Sequence, residues 1–534
     1  MIGARLSSSY WPAGTSEPVL DTTVGGVLRA AARREPDRTA LVEGIPDKSS
    51  RRRWTYSQLL EDSERAARAL LGRFQPGERV AVWANNIPEW LLLEYACALA
   101  NLTLVTVNPA FRPRELAYVL GQSRAAGLFL IKELRGNSMT TSLESVRAQL
   151  PDMREVVFFE EWRTFVGSGS PSERLPEAAP DDIAQIQYTS GTTGFPKGAM
   201  LHHRGITNNS RFYLARRGDA ARGASINPMP LFHTAGSCMA ATGFVQVADT
   251  HVLIPSFEPG LVLELLETER AAGLGAVPTM LIALMEHPDF RGRDLSNLHS
   301  VVSGGSLVPA DLVRRIEREL GVDFTIVFGM TEASPVVTQT WPSDSPNDKS
   351  ETIGQPLPQA EVAIVDPVSG ETLPCGQIGE VCVRGYQVMK GYFDKLAETA
   401  AAIVDGWLHT GDLGSMDERG YCRIEGRLKD MIIRGGENIY PREIEELLFG
   451  HPAVADVAIV GLPDERWGEQ VAAFVRPAAG RKRDEKELFE FCRQHLSPHK
   501  TPKVWVFVDE FPLTPSGKIQ KYVLRERYQN GELA

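Results

Sequence analysis

Residues 188–198 (YTSGTTGFPKG) concentrate hydroxyl groups, glycines and one lysine in a short segment. Glycine lets backbone N–H groups approach phosphate oxygens, hydroxyls add neutral donors, and Lys197 adds a positive charge. The spacing is not the Walker pattern, because Pro196 stands where that pattern has its second glycine. A flexible linker has a similar composition, so that interpretation stays open. The flanks favour a phosphate-binding loop with ATP as the first candidate ligand, since residues 182–188 alternate like a strand and residues 198–205 are predicted to open a helix.

Six further short motifs follow this loop along the chain. Each alone carries little information, because a tripeptide such as Thr-Gly-Asp is expected by chance in a long chain. They lie at residues 303–307 (SGGSL), 328–332 (FGMTE), 379–385 (GEVCVRG), 409–412 (HTGD), 425–430 (EGRLKD) and 515–518 (PSGK). In this order they make the chain resemble the adenylate-forming (AMP-forming) synthetases, the superfamily of acyl- and aryl-CoA ligases, nonribosomal peptide synthetase adenylation domains and beetle luciferases. The resemblance runs nearly end to end. Residues 389–393 (MKGYF) and 405–412 (DGWLHTGD) make it strongest for bacterial medium- or long-chain acyl-CoA synthetases.

The resemblance implies a site for ATP and Mg²⁺. Glu332, beside Thr331, would bind Mg²⁺, while Asp412 on a rigid turn would accept hydrogen bonds from the ribose hydroxyls and Arg427 would reach the same ribose. Phe328 stands where the family usually has tyrosine, so its ring can stack on adenine but offers no hydroxyl. Residues 303–306 would lie against adenine and the acid, although an ordinary tight turn is the alternative. The implied nucleotide-binding residues are Thr189, Ser190, Gly191, Thr192, Thr193, Lys197, Gly304, Gly305, Ser306, Phe328, Gly329, Met330, Asp412 and Arg427.

A mobile C-terminal segment would complete the chemistry. Lys518 lies near the C-terminus, where a lysine is usually only a solvated charge. By resemblance it enters the active site to bridge the carboxylate and the α-phosphate, then leaves when the C-terminal domain rotates about a hinge at Lys429. Gly435, Gly436 and Glu437 would then face a CoA tunnel, whereas a plain turn is the alternative for the two glycines.

The acid pocket and the acceptor tunnel are predicted to meet at residues 230–238 (PLFHTAGSC). His233 is either a gate between them, as the matching residue is in several CoA ligases, or a structural histidine. The predicted lining, with Met330 beside it, is small or apolar and has no charge to recognise an amino group. This disfavours an amino acid and favours a fatty, branched or aryl acid. The predicted lining residues are Thr234, Ala235, Gly236, Ser237, Val336 and Val337.

Bulk composition excludes several other classes of protein. The chain has 534 residues, 43% of them hydrophobic, which predicts more than one domain and a large core. A formal net charge of −11 disfavours nucleic acid as a partner. Six cysteines without a C-x-x-C pair suit reduced thiols better than disulfides or zinc. No signal segment or membrane-spanning run of roughly 18 apolar residues is visible, so we expect a soluble, cytoplasmic protein.

The alternation of helical and strand patterns predicts an α/β multidomain fold. Residues 1–428 are expected to form a large N-terminal domain with two helix-covered sheets, and its β-rich subdomain covers about residues 354–428. Residues 429–534 are expected to form a small mobile α+β domain, with a helix at residues 485–495.

The combined prediction is a two-step ligase that joins a carboxylic acid to CoA with ATP. One alternative keeps the adenylation step but transfers the acyl group to a carrier-protein thiol, an amine or another small nucleophile. A second is a catalytically silent nucleotide-binding or scaffold protein, which the joint presence of Lys518, Glu332, Asp412 and Arg427 disfavours. The acid, its chain length and the oligomeric state, including a homodimer, are left open.

Overall fold

The structure is a computed structural model that describes residues 5–14, 17–189, 196–218, 223–305, 308, 310–435, 437–478, 480–513 and 519–533. None of the helices in this part of the chain is long and apolar enough to cross a membrane. The α-helices are α1 (Val24–Arg34), α2 (Tyr56–Leu71), α3 (Pro88–Leu99), α4 (Pro113–Gln122), α5 (Met139–Val146), α6 (Trp162–Gly167), α7 (His203–Ala215), α8 (Gly243–Val247), α9 (Pro259–Thr268), α10 (Pro278–Met285), α11 (Ala310–Leu320), α12 (Pro346–Glu351), α13 (Leu396–Ala402), α14 (Pro441–Phe449), α15 (Glu485–His495) and α16 (Lys521–Gln529).

The strands form four larger sheets and one short hairpin within the described residues. Their bounds are β1 (Tyr10–Trp11), β2 (Thr39–Glu43), β3 (Arg53–Thr55), β4 (Arg79–Trp83), β5 (Thr103–Thr106), β6 (Gly127–Leu130), β7 (Glu133–Leu134), β8 (Asn137–Ser138), β9 (Glu155–Phe158), β10 (Ile183–Thr189), β11 (Lys197–His202), β12 (Ala224–Asn227), β13 (Thr250–Leu253), β14 (Ala271–Gly275), β15 (Ser300–Gly304), β16 (Asp323–Gly329), β17 (Val336–Gln339), β18 (Gln355–Pro356), β19 (Glu361–Val365), β20 (Gly379–Arg384), β21 (Ile403–Val404), β22 (Trp407–Met416), β23 (Cys422–Arg427), β24 (Ile432–Arg434), β25 (Glu437–Ile439), β26 (Val454–Asp464), β27 (Gly468–Pro477) and β28 (Val504–Phe507).

Two mostly parallel sheets make up most of the N-terminal part. Their strand orders are β11-β10-β5-β4-β6-β9 and β18-β17-β16-β15-β14-β12-β13-β2-β3. Helix α3 is buried along its whole length and belongs, with α1 and α2, to the largest apolar core. The strands of parallel sheets are covered on both faces, which explains why β4 and β5 are almost entirely buried. The predicted pair of helix-covered sheets is therefore confirmed.

A third sheet accounts for the predicted β-rich region. Its order is β1-β19-β20-β22-β21, and β23 pairs with β22. Strand β1 comes from the N-terminus and pairs antiparallel with β19. The sequence analysis did not predict this strand, because two residues are too few to show a periodic pattern.

The C-terminal part has its own sheet, in the order β25-β24-β27-β26, with β28 paired to β27. Helix α15 begins after Asp484, whose side chain accepts a hydrogen bond from the Glu487 backbone N–H, and spans the predicted residues. Two separate apolar clusters contain residues of this sheet, and helices contribute to both clusters. The α/β multidomain fold with a smaller α+β C-terminal domain is confirmed.

The segment after the phosphate-loop motif differs from its prediction. Residues 198–205 were expected to open a helix, but β11 continues to His202 and α7 begins only at His203. Strand β11 pairs antiparallel with β10, with Tyr188 opposite Gly198. This pairing satisfies the backbone hydrogen bonds of residues 198–202, which leaves no reason for a helix there.

Candidate active site

The β10–β11 hairpin brackets the phosphate-loop motif. Thr189 and Lys197 are opposite each other at its loop end. The Lys197 ammonium lies 5.1 Å from the centre of the Tyr392 ring, a cation–π distance. The other predicted loop residues, Ser190, Gly191, Thr192 and Thr193, lie outside the described residues.

Glu332 occupies a buried position beside this hairpin. It lies in a 3₁₀ turn, Thr331–Ala333, immediately after β16, and only 7% of it is exposed. The Tyr392 hydroxyl donates a hydrogen bond of 2.8 Å to Glu332 Oε1. Burial raises the pKa of the Glu332 carboxyl, while the Tyr392 hydrogen bond and the positive charges of Arg427 and Lys197 oppose that increase. A carboxylate is the type of hard oxygen donor that Mg²⁺ prefers, so the Glu332 side chain fits such an ion.

Strands β15 and β16 end next to each other, and the predicted adenine-binding residues lie at these ends. At Gly304 a Cβ would lie 2.3 Å from the Val327 carbonyl oxygen, and at Gly329 it would lie 2.0 Å from the Pro335 oxygen. Both glycines are thus required by close backbone packing within the protein itself. Gly305 adopts a φ of +77° and leaves open space where a Cβ would point.

Three further residues, Phe328, Met330 and Ser306, are predicted to line the adenine site. Phe328 and Met330 are partly buried and pack against the largest apolar core. Ser306 lies outside the described residues.

Asp412 and Arg427 are cross-strand partners on β22 and β23. Arg427 Nε lies 2.9 Å from Asp412 Oδ1, and the Asp412 side chain is 6% exposed, against 43% for Arg427. Asp412 was expected on a turn, and that expectation is wrong, because the residue belongs to the long strand β22. The pairing holds the carboxylate and the guanidinium together at one end of the third sheet.

The predicted gate residue lies at the surface. His233 is exposed, and its Nδ1 accepts a hydrogen bond of 3.3 Å from the Ala235 backbone N–H. A π-helix, Ala235–Thr242, follows directly. Such helices are rare and occur frequently at functional sites.

The predicted acid-pocket residues do not share one surface. Val336 and Val337 are adjacent on β17 and belong to separate apolar clusters. Neighbouring residues of a strand point to opposite faces, so the two side chains pack in different directions, and the prediction that both line the acid pocket stays a prediction. At Gly236 a Cβ would lie 2.3 Å from the Pro230 carbonyl oxygen, so close backbone packing requires a glycine there. Thr234 is fully buried, and Ala235 is partly buried.

Ser237 is part of an internal polar network. Gln187 Nε2 donates to Ser237 Oγ at 2.8 Å and to Gln185 Oε1 at 2.7 Å. Gln185 Nε2 in turn donates to Glu94 Oε1 at 2.6 Å. Burial raises the pKa of the Glu94 carboxyl well above its ordinary value. The Ser237 hydroxyl is therefore hydrogen-bonded inside the protein, and its place in the acid pocket stays a prediction.

The predicted hinge and tunnel residues lie at the start of the C-terminal part. Lys429 is exposed in a 3₁₀ turn, Leu428–Asp430, between β23 and β24. Gly435 has a φ of +62°, and its backbone N–H donates to the Trp467 carbonyl at 2.8 Å. Glu437 Oε2 lies 3.0 Å from His499 Nε2. Gly436 and Lys518 lie outside the described residues.

The structure thus brings several predicted residues into one region. The charges of Lys197 and Arg427 both act on the Glu332 carboxyl, and Arg427 contacts Asp412. Two carboxylates and two cations therefore meet near the ends of β10, β16 and β23. The carboxyl ends of parallel strands are the usual ligand-binding edge of an open α/β sheet.

Tyr392 is a neighbour of this site that the sequence analysis did not identify. It lies in the MKGYF motif, which served only as evidence of resemblance. The motif pairs with β11, through an Ala199–Tyr392 bridge and a hydrogen bond of 2.8 Å from Phe393 N to Gly198 O. Tyr392 and Glu332 are 60 positions apart, so no local pattern could have connected them.

The Tyr392→Phe variant is expected to raise KM for MgATP about tenfold, because a hydrogen bond to a charged group contributes about 1.5 kcal/mol. The change leaves the aromatic ring in place beneath Lys197 and removes only the donor to Glu332. Pyrophosphate release at varied ATP measures it. Tyr188→Phe is the matched control, since that hydroxyl bonds to Gln122 and not to Glu332. Equal KM values for both variants would contradict the prediction.

These features define a class of protein: a large α/β domain with phosphate-loop, carboxylate and arginine motifs at strand ends, followed by a small α+β domain. The chain belongs to the AMP-binding enzyme family. The family model "AMP-binding enzyme" matches residues 28–393, and the model "AMP-binding enzyme C-terminal domain" matches residues 443–518. The resemblance inferred from the motifs is confirmed.

Individual relatives are similar over almost the whole chain. The putative acyl-CoA synthetase YngI of Bacillus subtilis (strain 168) is 40% identical over 539 residues, covering 95% of this chain and 97% of that protein. The mitochondrial medium-chain acyl-CoA ligase ACSF2 of Rattus norvegicus is 36% identical over 563 residues, covering 98% and 90%. A solved structure of o-succinylbenzoate CoA synthetase (MenE) from Bacillus subtilis, in complex with the acyl-adenylate intermediate OSB-AMP, has a TM-score of 0.83 and 27% identity, covering 95% and 98%.

Proposed function

We propose that this protein is an AMP-forming acyl-CoA synthetase that activates a carboxylic acid with ATP and transfers the acyl group to CoA. The observation that carries the proposal is the convergence of Lys197, Glu332, Asp412 and Arg427 in a chain whose full-length relatives are acyl-CoA ligases. The relatives favour CoA over the other acceptors. The four charged residues together disfavour a silent binding protein.

In the first step, a carboxylate oxygen of the acid attacks the α-phosphorus of ATP, and pyrophosphate leaves. We assign Lys197 and the phosphate loop to the β- and γ-phosphates, where a fixed cation stabilises the departing charge. Asp412 accepts hydrogen bonds from the ribose hydroxyls, and Arg427 helps to hold the same sugar. The Phe328 ring stacks on adenine without a hydroxyl contact.

A magnesium ion fits this site through Glu332, with Thr331 beside it. Bound Mg²⁺ would neutralise phosphate charge during the transfer. Glu332 is suited to the role because its carboxylate is held by Tyr392 at one oxygen and lies in a water-poor environment.

In the second step, the CoA thiolate attacks the acyl carbonyl carbon and AMP leaves. We assign Lys518 to the first step only, with rotation about Lys429 removing it and bringing residues 435–437 to the thiol tunnel. His233, exposed at the start of the π-helix, is assigned as the gate to that tunnel.

An apolar cluster behind the adenylate site favours a fatty acid as the substrate. Val336 packs there with Phe212, Phe244 and Ala240, and Met239 lies partly buried beside them. These side chains belong to α7, α8, the π-helix and β17. We assign the acyl chain to this cluster, since none of these five side chains carries a charge that would recognise an amino or second carboxylate group.

The test is pyrophosphate release with a panel of fatty, branched and aryl acids, each with and without CoA, and with products identified by mass spectrometry. The expected result is acyl-CoA and AMP from a medium-chain fatty acid. If the adenylate forms but does not react with CoA, the proposed acceptor would be another nucleophile instead. ATP binding without any pyrophosphate release would favour the silent binding protein.

Two expectations from the sequence remain predictions. A cytoplasmic location would be checked by fractionation of the source cells. A homodimer would be checked by sedimentation of the purified protein.

A further inference from the structure

Asp412 is presented by an irregularity in strand β22. Glu380 on β20 is opposite Leu413, and Cys382 is opposite His409. Two positions along β20, from residue 380 to residue 382, are thus paired with four positions along β22, from residue 413 back to residue 409. Strand β22 therefore contains two more residues here than a regular ladder would have. Such bulges occur next to active sites, where they re-aim a side chain. Asp412 lies inside this bulge.

The bulge needs hydrogen-bond partners that the neighbouring strand cannot supply. A buried backbone N–H without a partner is costly, so each one here has to be accounted for. The Gly411 N–H donates to Glu380 Oε1 at 2.9 Å. Gly411 has a φ of +69°, the left-handed conformation that glycine adopts without strain. The Glu380 carboxylate therefore takes the place of a missing strand carbonyl.

The second oxygen of the Glu380 carboxylate contacts His409, the paired residue that directly precedes the bulge. His409 Nδ1 lies 2.7 Å from Glu380 Oε2. Glu380 is 7% exposed, and His409 is its only ion-pair partner in the part of the chain that the structure describes. A carboxylate buried without a strong cation is unfavourable unless its hydrogen bonds compensate, which indicates that these contacts maintain it.

Thr410 completes the support. Its hydroxyl donates to the Val381 carbonyl at 2.7 Å and accepts from the Asp412 N–H at 3.0 Å. The backbone N–H groups of Gly411 and Asp412 thus both donate hydrogen bonds to side chains. Of these side chains, only that of Glu380 comes from outside the bulge.

The same cluster has residue types that bind metal ions. Cys382 Sγ lies 3.5 Å from His409 Nδ1, and with Glu380 the three form a group of suitable donors. Both Glu380 oxygens are already used by hydrogen bonds, which accounts for the short distances without an ion. The geometry therefore favours a structural role for the carboxylate.

We propose that Glu380 is a positioning residue that holds the bulge between His409 and Leu413 and thereby aims the Asp412 carboxylate at the nucleotide. The inference rests on the proposed role of Asp412 in ribose binding. This role depends on the length of the Glu380 side chain and not on its negative charge, because a neutral amide oxygen could also accept the hydrogen bond from the Gly411 N–H.

Two substitutions distinguish the effect of side-chain length at position 380 from the effect of its charge. Glu380→Gln keeps an oxygen for the Gly411 N–H and offers an NH₂ group to His409 Nδ1, whereas Glu380→Asp keeps the charge but shortens the side chain by one methylene. We expect Glu380→Gln to bind ATP within twofold of the parent protein. Glu380→Asp should weaken ATP binding about tenfold by calorimetry and raise KM for ATP equally, while KM for the acid and CoA stays within twofold.

Glu361→Asp is the matched control for a general loss of sheet stability. Glu361 lies on the adjacent strand β19 and accepts hydrogen bonds from Arg384 and Tyr10, away from the bulge. We expect this variant to lower Tm without changing ATP affinity. Equal ATP affinities for Glu380→Asp and Glu361→Asp would overturn the proposal. A tenfold loss of ATP affinity in Glu380→Gln would also overturn the proposal. If Glu380→Asp does not fold, the ATP affinity of Glu380→Gln alone decides the test.

Asp412→Ala, measured in parallel, separates this inference from the proposed function. Unchanged ATP affinity in Asp412→Ala would remove the nucleotide role of Asp412 itself. Weakened binding in Asp412→Ala together with normal binding in Glu380→Asp would remove only the positioning role of Glu380.

Discussion

The Lys518→Ala variant is expected to lose pyrophosphate release by a factor of about 10² to 10³, while it still converts supplied acyl-adenylate and CoA at close to the parent rate. A cation at the α-phosphate stabilises charge that exists only in the adenylation transition state, and removing one such contact typically has an effect of this size. The two half-reactions are measured separately, with acid and ATP in one assay and purified adenylate with CoA in the other.

The control for this prediction is Lys521→Ala, a lysine close in sequence on helix α16. Lys521 Nζ lies 2.6 Å from Glu445 Oε1, which assigns it to an ion pair within the C-terminal part. Its loss should leave both half-reactions within about twofold. Equal reduction of both half-reactions in Lys518→Ala would show that this lysine does not act in one conformation only, and the two-conformation proposal would be wrong.

The Glu332→Gln variant is expected to lower kcat/KM for MgATP in adenylation by about 10² to 10³, because the amide is a much poorer ligand for Mg²⁺ than a carboxylate. The amide oxygen can still accept the Tyr392 hydrogen bond, so the local structure is retained. Burial raises the pKa of Glu332, which means that the buried charge is unfavourable for folding. Thermal stability should therefore be equal to or higher than that of the parent protein.

Two measurements test this variant. Pyrophosphate release is followed against free Mg²⁺, and Mn²⁺ binding in the presence of ATP is followed by electron paramagnetic resonance. The control is Glu94→Gln, since Glu94 is also a buried carboxyl with a raised pKa but belongs to the internal network with Gln185. If both variants behave alike toward the metal, Glu332 has no special role in holding it.

Local patterns predicted much of the secondary structure. The alternation in residues 182–188 and the helical period of residues 485–495 are each carried by contiguous side chains, and both elements are present. The failure at residues 198–205 has a tertiary cause. Strand β11 is stabilised by pairing with β10 on the other side of the loop, and a short apolar segment does not by itself reveal its pairing partner.

The sequence by itself determined the family and the types of the reacting groups, because each motif places its residues within a few positions of one another. The tertiary structure decided which distant residues meet. Tyr392 reaches Glu332 through the pairing of the MKGYF motif with β11, and Glu380 reaches Gly411 through the register of β20 and β22.

The physical reason for this division is that the register between strands depends on contacts across the whole sheet. A shift of one residue turns every side chain of a strand to the opposite face. Whether Val336 or Val337 faces the apolar cluster behind the adenylate site is set in this way, and no motif contains that information. The chemistry is therefore encoded locally, while the geometry that directs it depends on the fold.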